Sequence, residues 1–358
     1  MRVLFCVDDF KGGAGNVIQL LSIEFVKRGH HVAICCLGGN TPGRHNIGDI
    51  HVYRISRNSN ILFRYITYVT EVRKIIKKEK PDCVVSFLFG TSAWANLAMM
   101  GMKTPLIVSE RSDPHYLVPH GLMVLLTELA YRRAKRIVVL FDDFKNISGN
   151  KYHNKAVTIP NPVPTMPLLH TDSHSYDEEI RFVTIANDSP PKGLDLLVKA
   201  FAEVARTNSN IVLRIYGKES ERLHQMILQE RMQGYIFLMG YTLNVNEALS
   251  WSDVYVMPSR HEGFPNSLCE AMSAGKCCIA TLCHNGIKDL IIHKDNGLIA
   301  SEATVKAIRE QLSYVIEHPE VIKATGKKAR ALSQKYPLNK VVSMWEGLID
   351  EVVKNRKS

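Results

Sequence analysis

The chain has 358 residues, 46% hydrophobic and 22% charged, the balance of a globular protein with room for two cores of ordinary size. No apolar run reaches the roughly 20 residues a membrane helix needs, and the first 18 residues carry Asp8, Asp9 and Lys11 where a secretory leader would be apolar, so a cytoplasmic protein is expected. The formal charge of +10 is uneven: residues 1–165 hold 22 Lys and Arg against 12 Asp and Glu, and the remainder is balanced.

The chain opens on an apolar run over 2–9 (RVLFCVDD), read as a strand. A loop over 10–16 (FKGGAGN), a helix from about 17 to 28 and a second strand over 30–36 (HHVAICC) follow. The paired Gly12 and Gly13 let the backbone approach a ligand closely at the head of a helix. Their spacing is not that of a dinucleotide fingerprint, and no acidic residue ends the second strand. Further strands are expected over 83–88, 106–109 and 137–140. Before the last of these, the apolar stretch 117–131 (LVPHGLMVLLTELAY) runs into the basic cluster 132–136 (RRAKR), and a second basic run spans 73–80 (RKIIKKEK). An apolar segment joined to a basic cluster suits either a core helix with a solvated end or a peripheral contact with an anionic membrane. No basic stripe interleaved with aromatic residues points to nucleic acid.

Prolines at 160, 162, 164 and 167 prevent regular structure, and a polar stretch continues to residue 179, so an interdomain linker is placed over 166–180. The second half restarts with a strand over 181–187, the loop DSPPKG and a helix over 194–206. Later strands are expected over 211–216, 235–239, 253–257 and 277–280, and an amphipathic helix with Trp345 over 340–353. Strands alternating with helices favour parallel sheets covered on both faces. Of eight cysteines, Cys6, Cys35, Cys36, Cys83, Cys277 and Cys278 lie in apolar strand-like runs, and no pair has zinc-ligand spacing; all are expected to be reduced. Cys269 and Cys283 lie nearer the most informative segment, where they are candidates for access to solvent.

That segment is 259–276, SRHEGFPNSLCEAMSAGK. It reads as the loop after a strand, then a helix that Pro265 introduces, Asn266 or Ser267 caps and Gly275 stops. A helix start beyond a strand's carboxyl end suits a phosphate. Glu262 in the loop and Glu270 one turn into the helix place two carboxylates beside it. Carboxylates there need separate partners, and the hydroxyls of a sugar or ribose serve, which makes a nucleotide sugar the first ligand to consider. Surface placement of both glutamates is the plain alternative.

The segment resembles that of retaining nucleotide-sugar glycosyltransferases of the GT-B fold, family 4, a group that assembles polysaccharides and lipid-linked glycans. The matching positions are Pro258, Ser259, Glu262, Gly263, Phe264, Pro265, Glu270, Ala271 and Gly275. The resemblance covers nearly the whole chain. It implies an α/β protein of two Rossmann-like β/α/β domains facing across a cleft. The first, 1–165, would bind the acceptor and the second, 181–337, the nucleotide sugar; residues 338–358 would form a helix crossing back to the first. It further implies that Glu270 holds the ribose hydroxyls and Glu262 the donor sugar. The backbone over Phe264, Pro265, Asn266, Ser267 and Leu268, with Gly263, would take the sugar and diphosphate, and Gly12, Gly13 and Ala14 would cover the donor phosphates and acceptor side. Asn285, Gly286 and Ile287 would pass near the sugar, Asp289 stands where a glutamate is frequent, and Asn296 with Gly297 makes a turn.

Lys192, beside a helix start, is the group to neutralise the charge of a departing diphosphate. No Asp-x-Asp sequence is present to hold a divalent ion, so neither metal nor cofactor is expected. Two positions depart from the family pattern. Asn187 and Asp188 stand where an arginine is usual, with Lys218 or Lys11 as replacements, and Arg111 stands where many relatives have a histidine. Arg111 cannot serve as a base but can bind a phosphate, and Asp113 or His115 can orient an acceptor hydroxyl; a simple turn at Asp113 is the alternative.

The expected activity is retaining transfer of a hexose or N-acetylhexosamine from a nucleoside diphosphate sugar, foremost a UDP-sugar, to a glycan or polyprenyl-diphosphate-linked acceptor in surface polysaccharide synthesis. The catalytic set is Glu262, Lys192, Arg111 and Asp113, and Asn187 joins the donor set. A nucleotide-sugar-binding subunit without catalysis is the second reading, and a nucleotide-dependent oxidoreductase the third.

Overall fold

The computed structural model describes residues 1–10, 12–38, 45–56, 61–113, 116, 120–147, 149–167, 175–176, 178–218, 220–242 and 244–355, without the side chains of 61 and 62. The chain divides into two compact units, Met1–Pro162 with Leu338–Ser358, and Val163–Pro337.

The first unit holds strands β1 (Arg2–Val7), β2 (His31–Cys36), β3 (His51–Arg54), β4 (Cys83–Phe87), β5 (Leu106–Ser109), β6 (Arg136–Val139) and β7 (Ala156–Thr158). Helices α1 (Gly12–Lys27), α2 (Ile61–Glu79), α3 (Phe89–Ala98) and α4 (Leu122–Arg133) connect them. The strands form one parallel sheet in the order β3-β2-β1-β4-β5-β6-β7. Strands β4 and β5 are buried at every residue, as expected of parallel strands covered on both faces.

The second unit holds β8 (Ile180–Ile185), β9 (Ile211–Tyr216), β10 (Ile236–Leu238), β11 (Val254–Met257), β12 (Cys277–Thr281) and β13 (Leu298–Ala300). They form a parallel sheet in the order β10-β9-β8-β11-β12-β13. Its helices are α5 (Leu194–Ala205), α6 (Glu221–Gln229), α7 (Val245–Trp251), α8 (Asn266–Ser273), α9 (Val305–Glu317), α10 (Glu320–Ala329) and α11 (Leu332–Lys335). The core joins Phe182 of β8 to Phe201 of α5, edge to face at 5.7 Å, with Ile211, Leu213, Val254 and Ile279 from the neighbouring strands.

Helix α12 (Leu338–Lys354) belongs to the first unit. Its Trp345 is fully buried and stacks on Phe87 at 5.8 Å, while Phe87 and Phe25 both meet Phe5 edge to face. Arg28 in turn donates to Glu346 at 2.7 Å, and His30 lies 2.6 Å from its other oxygen.

Two expectations need correction. Helix α1 begins at Gly12, inside the segment read as a loop, because the first turn is anchored by Gly15. A Cβ there would lie 2.5 Å from the backbone of Phe10, so only glycine lets the turn close onto the chain leaving β1. The short strands β3, β7 and β13 were not anticipated; four, three and three residues are too few to show a period.

Candidate functional site

In each sheet the strand order reverses direction at one place, between β1 and β4 in the first unit and between β8 and β11 in the second. Loops leaving the carboxyl ends of two such strands run apart and leave a crevice. In the second unit those loops are 186–193 and 258–265, the two segments singled out in the sequence.

They are pinned together. Gly193 has φ 65°, and a Cβ on it would stand 2.1 Å from the carbonyl oxygen of Pro258, so the start of α5 lies directly against the end of β11. The backbone N–H of Arg260 donates to Pro191 O at 2.7 Å, and its guanidinium grips Asp195 through two bonds of 2.8 and 2.6 Å. That hydrogen bond holds the Asp195 carboxyl below the usual carboxylate range. Neither Arg260 nor Asp195 was singled out in the sequence, since their pairing spans 65 residues.

Within this frame Lys192 Nζ donates to both oxygens of Glu262, at 2.7 and 2.9 Å. Ser259 Oγ donates to Glu262 Oε1 at 2.7 Å. Glu262 is 10% exposed and Lys192 35%, so the pair lines a surface a solute can reach. An ammonium and a carboxylate side by side present opposite charges to one ligand, the first suited to a phosphate and the second to hydroxyl donors.

Helix α8 begins immediately after the Glu262 loop. Pro265 is its N-cap residue, and no side chain caps it, contrary to the expectation for Asn266 or Ser267. The Ser267 hydroxyl is instead bonded to Tyr255 OH of β11 at 2.7 Å. Gly263 and Phe264 complete the loop, with Phe264 buried; Leu268 is buried and Glu270 half-buried on α8. Cys269 is buried too, which corrects the expectation of access, whereas Cys283 is half-buried. Asn296 accepts from Ile292 N–H and donates to Leu290 O, the bonds of a turn.

At the positions that lack an arginine, Asn187 Oδ1 accepts from the backbone N–H of Lys218 at 2.8 Å. Asp188 is paired with Arg222 of α6 and bonded by Ser220, and the bond from Arg222 lowers its pKa. Arg222, not anticipated, is thus a cation at this position; the Lys218 side chain is exposed, and Lys11 lies outside the described residues.

The first unit places Glu110, Arg111 and Asp113 just after β5, all buried. Arg111 donates from Nε to Ser109 Oγ at 2.7 Å and from Nη1 to Ile159 O and Asn161 Oδ1 at 3.1 and 3.0 Å. Its guanidinium lies over the rings of Phe87 and Trp345, 5.1 and 5.2 Å from their centroids. The side chain thus ties β5, the end of the first unit's main segment and α12 together. Burial lowers the Arg111 pKa to about 9 and raises that of Glu110, which accepts from Tyr131 OH at 3.0 Å, to about 7. Gly12 and Gly13 sit in the first turn of α1 beside the reversal point of this sheet. Leu88, where β4 ends, has φ 72°, a strained conformation for a large side chain. His115 lies outside the described residues. Among the described residues no cluster of His, Cys, Asp or Glu is placed to hold a metal ion.

Residues 167–332 match the family model for glycosyl transferases group 1, and residues 11–166 the model for glycosyltransferase family 4. An uncharacterized glycosyltransferase of Haemophilus influenzae is 24% identical over 342 residues, 94% of this chain and 96% of that protein. A Campylobacter jejuni protein named as an undecaprenol-diphosphate-linked glycan alpha-1,4-N-acetyl-D-galactosaminyltransferase is 25% identical over 284 residues, 78% of each chain. The crystal structure of Anabaena HepE with UDP and glucose superposes with a TM-score of 0.81 at 16% identity, covering 98% of this chain and all of that one. TarM of Staphylococcus aureus, solved with UDP, superposes at 0.78 and 14% identity over 97% and 99% of the two chains. Two adjoining family matches from residue 11 to residue 332, on two parallel α/β sheets, establish that the chain belongs to the group 1 glycosyltransferases and is a transferase of the GT-B fold.

Proposed function

We propose that the protein is a retaining glycosyltransferase that moves a hexose or N-acetylhexosamine from a UDP-sugar to a glycan or lipid-linked acceptor in polysaccharide synthesis. The observation that carries this reading is the Lys192–Glu262 pair at the reversal point of the second sheet. Further support comes from HepE and TarM, each solved with UDP, and from the undecaprenol-linked substrate in the name of the C. jejuni relative.

In this reading the diphosphate lies against the uncapped start of α8, where backbone N–H groups and the positive end of the helix dipole favour an anion. Lys192 turns from Glu262 toward the leaving phosphate, and Glu262 accepts hydrogen bonds from the sugar. Glu270 holds the ribose diol. The bond between the anomeric carbon and the diphosphate oxygen breaks while the acceptor oxygen bonds to the same face of that carbon, and the acceptor proton passes to the departing diphosphate. No enzymic nucleophile is invoked, so the anomeric configuration is kept. Arg111 and Asp113 are assigned to the acceptor side. The test is to identify by NMR the anomer formed from a UDP-sugar and a lipid-linked acceptor analogue. An α product from an α donor, lost in Glu262→Ala, supports the reading; an inverted product or a trapped glycosyl-enzyme refutes it.

A further inference from the structure

Helix α4 is turned inside out on its solvent face. A surface helix normally shows water its polar residues, yet the outward positions here are Leu122, Val124, Leu125 and Leu129, 69%, 51%, 55% and 37% exposed. The inward positions Leu126, Thr127, Ala130 and Tyr131 already fill the packing face, so the leucines are surplus to the core. The helix ends in Arg132 and Arg133, with Lys135 and Arg136 directly beyond. Arg132 and Lys135 are exposed, whereas Arg133 bonds to Met102 O and Arg136 to Glu351.

The same arrangement recurs on α2. Its outward line carries Phe63 and Ile66, 60% and 52% exposed, in the first turns, then Lys74, paired with Glu71, and Lys77 farther on. Helix α3 packs between α2 and α4, so the three form one layer over the sheet. Helices that join parallel strands run opposite to them, so the starts of α2 and α4 lie at the sheet edge where β1, β4 and β5 end. The exposed apolar groups therefore gather at the edge that holds the assigned acceptor residues Arg111 and Asp113, and the cations lie behind them.

We infer that the outer face of α4, extended by the start of α2, docks onto the surface of an anionic lipid bilayer. Leucines flanked by arginine and lysine complement acyl chains and negative headgroups together, and the charge excess of residues 1–165 acts in the same direction. Docking in this way would bring a lipid-carried acceptor to the β5 edge. The contact goes beyond the donor reading and does not depend on it.

The test is vesicle flotation of the full chain with phosphatidylglycerol–phosphatidylcholine vesicles, without donor or acceptor. Wild type is expected to float, and less so at about 0.5 M NaCl, where screening is strong. The triple variant Leu122→Gln/Leu125→Gln/Leu129→Gln, altered only at exposed positions, is expected to bind at least tenfold more weakly. Arg132→Gln/Lys135→Gln is expected to lose about 25-fold on anionic vesicles, at about fivefold per charge, and little on neutral ones. Melting temperature and the UDP-induced thermal shift, measured on each variant, should match wild type, which separates failure of this inference from failure of the donor reading. Flotation unchanged in the triple variant overturns the inference. So does wild type that floats with no vesicle, or a wild-type dimer in sedimentation that the triple variant dissolves.

Discussion

Lys192 and Glu262, 70 residues apart in the chain, are joined by two hydrogen bonds of 2.7 and 2.9 Å between loops that leave adjacent parallel strands. The pair depends on a backbone contact, Gly193 against Pro258 O, and on the Arg260–Asp195 clamp beside it. Fold and chemistry meet in those few bonds, and each can be broken separately.

Lys192→Ala should leave stability nearly intact. The lysine is about a third exposed, where solvent screening reduces an ion pair to about 0–1 kcal/mol, and Glu262 keeps its bond from Ser259. Loss of a positioned charge opposite a leaving group costs on the order of 10²–10³ in rate. Urea unfolding beside a donor-turnover assay checks both halves.

Gly193→Ala should do the reverse in proportion. Its φ of 65° and the 2.1 Å approach to Pro258 O force either strain or a shift of the α5 start, at about 1–3 kcal/mol. Lys192 shifts with it, so turnover falls as well. A urea midpoint equal to wild type would show that the two loops are not in the contact described.

Stability should fall as pH rises from about 4.5 to about 7 on account of Glu110. Burial raises its folded pKa to about 7 from an ordinary 4.5, so in that window the native state holds a proton that the unfolded chain has released. The contribution is complete below pH 4.5 and lost as pH passes 7, on the order of 3 kcal/mol in all. Glu110→Gln should flatten this part of the stability profile measured by urea titration at a series of pH values.

Trp345→Ala should destabilise the first unit by about 3–5 kcal/mol, since the indole is fully buried and also bears on the Arg111 guanidinium. Calorimetry that resolves the two units would assign the loss to the first.

Much of this was legible in the sequence for identifiable reasons. Buried parallel strands are near-continuous apolar runs, so β4 and β5 could be placed closely. The spacing of Glu262, Pro265 and Glu270 marked the loop and helix start because proline and local geometry act over a few residues. What stayed hidden is non-local. Arg111 finds its acceptors 48 and 50 residues downstream, Arg260 finds Asp195 65 residues upstream, and Asp188 finds Arg222 34 residues on. Ser267 does not cap the helix because its hydroxyl is bonded to Tyr255 of β11.

The most direct test is calorimetric titration of the protein with UDP in EDTA, on wild type, Lys192→Ala and Glu270→Ala. The account predicts saturable binding by wild type, weakened at least tenfold in each variant, because Lys192 is assigned to the diphosphate and Glu270 to the ribose. Equal binding by all three, or binding that appears only when a divalent metal is restored, would contradict it.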